Sequence, residues 1–305
     1  KRDSMLKQPV FINSIASISA LGTTPVEIWN NYLHENSLFQ KMEANKRQYW
    51  VSKFSENENQ LLEEIMTSDS KYKHLDKSVV MAILVARKCF ENSHFSDKNV
   101  GINFGSSRGA TTLFEKHHSD FVNEGTVSTF TSPATTLGNI SSWVSHDLQT
   151  DGPEISHSIT CSTGLHALLN GIAWLQSGMS DQFLVGASEA PLTPFTLSQL
   201  SALKVYSNEE NVLANRSLDF EKTMNTMVLG EAASCLSLSL SSDNAIAKIT
   251  GIGYATEVLS SSTSISSDAK CFQKSMKMAI GSNNFEDIDA IVMHASGTIQ
   301  GGSTE

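Results

Sequence analysis

Positive charge is scarce in this chain. Only 22 of its 305 residues are Lys or Arg, against 32 Asp or Glu, which gives a formal net charge of -10. A protein that grips nucleic acid needs clustered cations to neutralise phosphates. The short basic stretches Lys71–His74 and Lys1–Arg2 do not supply them and read as a solvated face and a terminus. Charge of either sign is sparse at 18%, so the surface falls to Ser, Thr, Asn and Gln. Cysteine is also sparse. Cys89, Cys161, Cys235 and Cys271 form no CxxC pair, which argues against a zinc site and against a disulfide framework. No hydrophobic run reaches membrane-spanning length. The N-terminus leads into an alternating pattern, not the unbroken apolar core of a signal peptide. These absences describe a reduced, cytoplasmic protein that binds no nucleic acid and has no membrane span, with 40% hydrophobic residues from which to build a core.

What is present is an alternation of strand-like and helix-like segments. Residues 9–22 (PVFINSIASISALG) read as a strand ending in a turn at Gly22, and Thr24-Pro25 opens a helix whose apolar side is Val26, Ile28, Trp29 and Leu33. Residues 75–92 are helical by spacing, and Asn99–Phe104 form a strand running into Gly105-Ser106-Ser107-Arg108-Gly109. A strand at Ile155–Thr160 meets Cys161, a helix follows from Leu165 to Gln176 and stops at Gly178, and Asp181–Ala187 is a further strand. Strands at 247–257 and Ala290–His294 flank a helix at Ser267–Ile280, and the low-complexity stretch 257–268 reads as a surface loop. The expectation is an α/β protein with a mostly parallel sheet covered on both faces. A faint echo between residues 10–22 and 247–257 suggests two related βα halves, which places domain boundaries at 1–245 and 246–305.

Cys161 sits where a buried strand stops and a helix starts. Helix N-termini present unpaired N–H groups and positive potential, both of which favour thiolate over thiol. The small neighbours Ser162, Thr163 and Gly164 leave room for a thioester to approach. The same segment reads equally well as a buried cysteine at a strand end. Cys89, Cys235 and Cys271 stand beside bulky residues in helix or strand patterns and read as filler.

Residues 152–164 (GPEISHSITCSTG) resemble the nucleophile region of the β-ketoacyl-acyl-carrier-protein synthases, elongating condensing enzymes of the thiolase-fold superfamily. Four other segments match the family in order: 10–22 with Glu27-Ile28-Trp29; the loop 105–109; Arg216–Asp219 with Val228–Ala233; and Val292–Thr298 running on to Gly301 and Glu305. The resemblance implies a thiolase-like fold of two βα halves in α-β-α-β-α layers, with the second half incomplete in this chain. It implies Cys161 as the acyl-carrying nucleophile and His294 as an active-site histidine donating to a thioester carbonyl. It implies further that Ser296 and Thr298 hold a phosphopantetheine arm, and that Leu200 lines the acyl pocket. Asp219 and Glu305 are structural in this scheme, and the Cys161 N–H supplies half of an oxyanion hole. No metal or resident cofactor is implied, because the acyl groups arrive on the phosphopantetheine of acyl carrier protein. A homodimer, or a heterodimer with a related ketosynthase, is the implied assembly.

The departures are Asn13–Ser17 in place of a glycine-rich strand, Ser217 in place of proline, about two extra residues between Asp219 and Gly230, and Gly301-Gly302 in place of Gly-Asp. They point to a divergent member in fatty acid, polyketide or aryl-polyene-type pigment assembly. The family continues beyond this point, to a second histidine, a lysine that partners the glutamate and a Gly-Phe-Gly-Gly loop, so the native protein is expected to be longer. Besides a catalytic ketosynthase, the sequence allows a non-catalytic partner subunit of the chain-length-factor type, although such partners usually lose the cysteine. A thiolase or priming synthase fits the Ser-Gly-Thr after His294 less well, and a cysteine hydrolase would need partners that no pattern nominates.

Overall fold

The computed structural model describes residues 6–34, 36–95, 97–136, 139–258, 266 and 268–305. Most of the expected 257–268 loop, and the start of the helix expected from Ser267, lie outside them.

The chain begins with strand β1 (Val10–Ile18), a turn at Gly22, and helix α1 (Pro25–Leu33). The Thr24 hydroxyl accepts from the Glu27 N–H, the Glu27 carboxylate accepts from the Thr24 N–H, and proline fills the first helical position, so the helix start is fully specified locally. The apolar side of α1 does not pack inward. Val26, Trp29 and Leu33 are all more than 60% exposed, because no described element covers that face.

A hairpin follows, β2 (Gln40–Ala44) and β3 (Arg47–Ser52), closed by Asn45 and Lys46 at positive φ, the geometry of a two-residue primed turn. Helix α2 (Glu56–Ser68) leads to α3 (Lys77–Asn92), which is buried almost all round. A helix apolar on every side has to be covered on every side. Here one side packs on the sheet and the others meet α2 and, further along the chain, the helix at Asn139–Leu148. Next come β4 (Gly101–Gly105), α4 (Thr111–Glu124), α5 (Thr131–Thr135), α6 (Asn139–Leu148) and β5 (Glu154–His157). Helix α7 (Thr163–Ser177) is ended by Gly178 in the left-handed conformation, and β6 (Gln182–Glu189) and α8 (Pro194–Ala202) follow. The remaining elements are β7 (Leu229–Gly230), β8 (Ala232–Ser239), β9 (Ala247–Ile249), α9 (Lys270–Ile280) and α10 (Ile299–Thr304).

Among the described residues a six-stranded sheet runs in the order β5-β4-β6-β8-β1-β9. It is mixed, not mostly parallel. β4 pairs in parallel with β5 and β6, while β8 is antiparallel to both β6 and β1, and β9 is antiparallel to β1. Helices α3 and α6 cover one face and α7 the other, giving an α-β-α stack with a core on each side of the sheet. The nucleophile strand is corrected as well, since β5 is a half-buried edge strand and not a buried one.

The strand expected over 247–257 forms only at β9, and the one expected at Ala290–His294 does not form. A strand exists through its neighbour, and no described strand pairs with residues 250–257 or 290–294. Residues 251–253 instead run against α9, so close that a Cβ on Gly251 or Gly253 would overlap the carbonyls of Ala279 and Ser275. No helix among the described residues is long and apolar enough to cross a membrane.

Candidate active site

Cys161 lies in a single 3-10 turn, Thr160–Ser162, between the end of β5 and the first turn of α7. The chain reverses there with Thr160 at φ 44, a conformation that a β-branched residue adopts only when its surroundings hold it. Thr163 does the holding. Its hydroxyl accepts from the Ile159 N–H at 2.9 Å and donates to the Thr160 carbonyl at 2.6 Å, so one side chain closes both ends of the reversal. Gly105, at the end of β4, leaves space for the Thr163 methyl, which a Cβ there would overlap. The outcome is an exposed thiol at the N-terminus of a fifteen-residue helix.

His294 comes from the far end of the chain and faces that thiol. Its hydrogen-bonding contact pulls the Cys161 thiol below its ordinary range, against partial burial and the nearby Glu189 charge, which push it up. The same contact, with help from Glu305, raises the His294 imidazole, while burial opposes. The loop that carries His294 is clamped rather than hung. Ala295 stands at φ 48 and Gly297 at φ 85. The Ala295 N–H donates to Glu305 Oε2 at 2.7 Å, and the Ala295 carbonyl accepts from the Ser217 hydroxyl. The Gly297 carbonyl accepts from both the N–H and the hydroxyl of Thr226, each at 2.9 Å. A Cβ on Gly297 would press on the Thr226 carbonyl, and the left-handed φ also favours glycine there.

Ser296 and Thr298 lie with their hydroxyls 3.2 Å apart, and Thr298 also caps α10 by accepting from the Gly301 N–H at 3.1 Å. Leu200 is packed into a separate small core with Tyr49, Val51, Leu197 and Tyr206. Asp219 forms an ion pair with Arg216, and Glu305 serves the His294 loop as described. Of the other cysteines, Cys89 and Cys235 are buried and Cys271 is partly so.

Several residues around the site escaped sequence reasoning. Glu189, at the end of β6, accepts from the Ser106 hydroxyl at 3.2 Å and from the Ser107 N–H, anchoring the 105–109 loop beside the thiol. Thr226 and Asn225 fix the His294 loop, the latter by accepting from the Ile299 N–H at 2.9 Å. His157, Asn103 and Asn170 form a polar chain under Thr163. The one signal available for that chain was an asparagine at the middle of an otherwise apolar strand. Among the described residues no group of three or more His, Cys, Asp or Glu is arranged to hold a metal ion.

Residues 7–244 match the family described as the β-ketoacyl synthase N-terminal domain. The 3-oxoacyl-[acyl-carrier-protein] synthase 2 of Coxiella burnetii is 23% identical over 239 residues, covering 76% of this chain and 58% of that protein. Its namesake in Staphylococcus aureus (strain COL) is 24% identical over 304 residues, covering 95% of this chain and 72% of its own length. The chain thus spans between about three fifths and three quarters of these relatives. Among solved structures, a type II PKS acyl-carrier protein in complex with its ketosynthase superposes with a TM-score of 0.82 at 18% identity, covering 97% of this chain and 76% of that one. The ishigamide ketosynthase/chain length factor gives 0.83 at 15%, covering 98% and 76%. At these identities the superpositions speak to the fold, which is thiolase-like.

Proposed function

The chain belongs to the β-ketoacyl synthase family, and from that premise we propose that it is a condensing acyltransferase joining a Cys161-bound acyl chain to a malonyl unit on acyl carrier protein. The observation that carries this reading is the placing of Cys161 at the start of α7, where the His294 imidazole is near enough to pull the thiol below its ordinary range. A partner subunit without chemistry has no use for a depressed thiol facing a fixed histidine.

The reaction follows from those two groups. The Cys161 thiolate attacks the acyl thioester, the new C–S bond forms as the bond to the phosphopantetheine sulfur breaks, and the acyl group rests on the enzyme. Malonyl thioester then loses CO2, and the electron pair of the broken C–C bond moves onto the thioester as an enolate. His294 donates a hydrogen bond to the enolate oxygen, where negative charge develops in the transition state and not in the ground state. The enolate carbon attacks the acyl carbonyl, a C–C bond forms, the Cys161 C–S bond breaks, and the thiolate returns. Ser296 and Thr298 offer adjacent hydroxyls to the phosphopantetheine arm. Acyl carrier protein and a second ketosynthase-like subunit, identical or related, are the partners this chemistry calls for. Among the structural neighbours one is a type II PKS acyl-carrier protein in complex with its ketosynthase, and another is a ketosynthase/chain length factor.

The test is to incubate the protein with acyl-acyl-carrier protein and record intact mass for the wild type and for Cys161→Ala. An acyl adduct on the wild type alone, followed by β-ketoacyl product once malonyl-carrier protein is added, is the expected result. No adduct on either form across a range of chain lengths would turn the reading toward a chain-length-factor-type partner subunit.

A further inference from the structure

Beneath the Cys161 turn runs a chain of side chains whose hydrogen-bond directions are all determined. Asn103 is fully buried in β4, between β5 and β6. Its amide nitrogen donates to the Ile155 carbonyl at 3.1 Å, which can only accept, so the amide orientation is fixed. Its oxygen accepts from the Asn170 amide of α7 at 3.0 Å. The second hydrogen on the Asn103 nitrogen points at His157 Nδ1, 3.0 Å away. Nδ1 therefore accepts, the proton sits on Nε2, and Nε2 donates to the Thr163 carbonyl at 3.0 Å, another atom that can only accept. Thr163 is the residue whose hydroxyl closes the Ile159–Thr160 reversal. The chain thus runs from α7 through the sheet to the residue that sets the direction of the thiol.

We propose that His157, oriented by Asn170 and Asn103, is a positioning residue that holds the Cys161 turn through the Thr163 carbonyl and so keeps the thiol against His294. A β-branched residue at positive φ, as Thr160 is, tends to relax to an extended conformation. Thr163 can resist that relaxation only while its own backbone is held. The Thr163 carbonyl already accepts within α7, as every carbonyl of a first helical turn does, and the His157 bond adds a second restraint from outside the helix. An apolar side chain at 157 would fill similar space but would leave the buried Asn103 donor without a partner and remove the outside restraint on the Thr163 carbonyl. Such orphaning costs more than the bond itself is worth. The proposal rests on the reading of Cys161 as the nucleophile, but its test does not require condensation.

The experiment measures the rate of iodoacetamide alkylation at Cys161 as a function of pH, read by peptide mass so that Cys271 does not interfere. It compares wild type, His157→Leu, His157→Gln and Asn170→Ala, with Cys161→Ala as the blank and thermal melting to confirm folding. His157→Leu should move the profile to higher pH and slow alkylation near neutral pH by about tenfold, as the thiol leaves His294. His157→Gln offers an acceptor to Asn103 and a donor to Thr163, and should restore most of the wild-type profile. Asn170→Ala, on a half-buried helix face, frees the Asn103 amide and should shift the profile in the same direction by less. It carries the test if His157→Leu fails to fold. Wild-type profiles in His157→Leu and Asn170→Ala would overturn the proposal, and so would a His157→Gln profile no better than that of His157→Leu. Failure of acyl transfer from carrier protein, with these profiles as expected, would remove the condensing function and leave the positioning role standing.

Discussion

The Glu189 carboxylate takes a hydrogen bond from the Ser106 hydroxyl at 3.2 Å, and this bond joins the end of β6 to the 105–109 loop. The second carboxylate oxygen holds the Ser107 N–H, and the Ser107 carbonyl in turn accepts from Ser158, three residues before the cysteine. Glu189 has a structural use and an electrostatic cost at once, because its negative charge opposes formation of the thiolate. Glu189→Gln keeps an oxygen for the Ser107 N–H and removes the charge. The sign is then clear: a neutral neighbour makes the thiolate easier to form, so the pH profile of Cys161 alkylation moves to lower pH and the rate near neutrality rises. A profile displaced to higher pH would mean that the anchoring of the loop outweighs the charge.

His294→Ala acts in the opposite direction. The imidazole contact is the largest influence lowering the Cys161 thiol, and without it burial and Glu189 both push upward. Alkylation at Cys161 should therefore require higher pH than in the wild type. On the proposed mechanism condensation should fall by about 10²–10³-fold, the cost of losing one donor aimed at a developing oxyanion. Acyl transfer to Cys161 should fall less, because it does not pass through the enolate. Single-turnover measurements with acyl- and then malonyl-carrier protein separate the two steps.

How much of this was legible in the sequence depended on whether the information was local. The limits of α7 were readable because Cys161 and Gly178 bracket an apolar helical spacing, and α3 was readable because Val79 to Ala86 is apolar on every side. The pairing of Cys161 with His294 came from motif order rather than from any local rule. What escaped was whatever depends on a distant partner. The β2–β3 hairpin alternates weakly and turns on Asn45-Lys46 instead of a glycine pair, so its pattern is faint. β8 reads as a run of small residues and becomes a central strand only because β6 and β1 flank it. That flanking also makes the sheet mixed. α1 carries an apolar stripe that sequence rules send inward, yet the described residues leave it exposed. His157 looked like any strand residue until Asn103 and Thr163 were seen on either side of it.

Asp76 lies almost fully buried at the start of α3, where one oxygen accepts from the Ser78 N–H at 2.9 Å and from the Ser78 hydroxyl at 2.7 Å, and the other from the Leu113 N–H at 3.3 Å. Burial raises its carboxyl above the usual range, and these hydrogen bonds only partly offset that. An acid whose folded pKa is raised contributes stability that is full below its unfolded pKa and is lost as pH rises through the folded value. Asp76→Asn keeps the acceptor and removes this loss, so it should gain on the wild type in urea unfolding as pH is raised from about 4 to about 7. Asp76→Ala loses the cap and should cost about 1–2 kcal/mol even at the lower pH.

Arg87 grips Asp147 with two parallel bonds, Nε to Oδ2 at 2.8 Å and an NH2 group to Oδ1 at 2.6 Å, and Tyr72 donates its hydroxyl to the same carboxylate at 2.5 Å. The Asp147 side chain is 2% exposed, so removing its cation strands a charge between α3 and α6. Arg87→Leu should cost about 2–3 kcal/mol, less than a fully buried pair would, because the Arg87 side chain is itself 40% exposed. The double variant Arg87→Leu, Asp147→Asn should recover much of that loss. Denaturant midpoints of the four species give the coupling directly, and a double variant no better than the single would show that packing by the arginine stem, and not the ion pair, is what matters.

Gly105→Ala tests whether the turn at Cys161 is held from below. The added methyl would overlap the Thr163 methyl and stand 3.0 Å from the His157 carbonyl, both of them part of a packed, hydrogen-bonded junction. Thr163 is the nearer and the softer of the two, because a side chain can rotate where backbone cannot. Rotation carries its hydroxyl away from the Ile159 N–H and the Thr160 carbonyl, and each of those bonds contributes about 1 kcal/mol. Thr160 then has little to keep it at positive φ. The expected outcome is a protein destabilised by about 1–3 kcal/mol, the cost of overpacking a close contact, with Cys161 losing its contact with His294. Its alkylation profile should move to higher pH, as in His294→Ala. Adding Thr163→Ser removes the methyl and keeps the hydroxyl, so the pair Gly105→Ala, Thr163→Ser should bring both the stability and the profile back toward the wild type. If it restores stability but not the profile, steric relief alone does not rebuild the turn, and the orientation of the thiol depends on the Thr163 methyl as well as its hydroxyl.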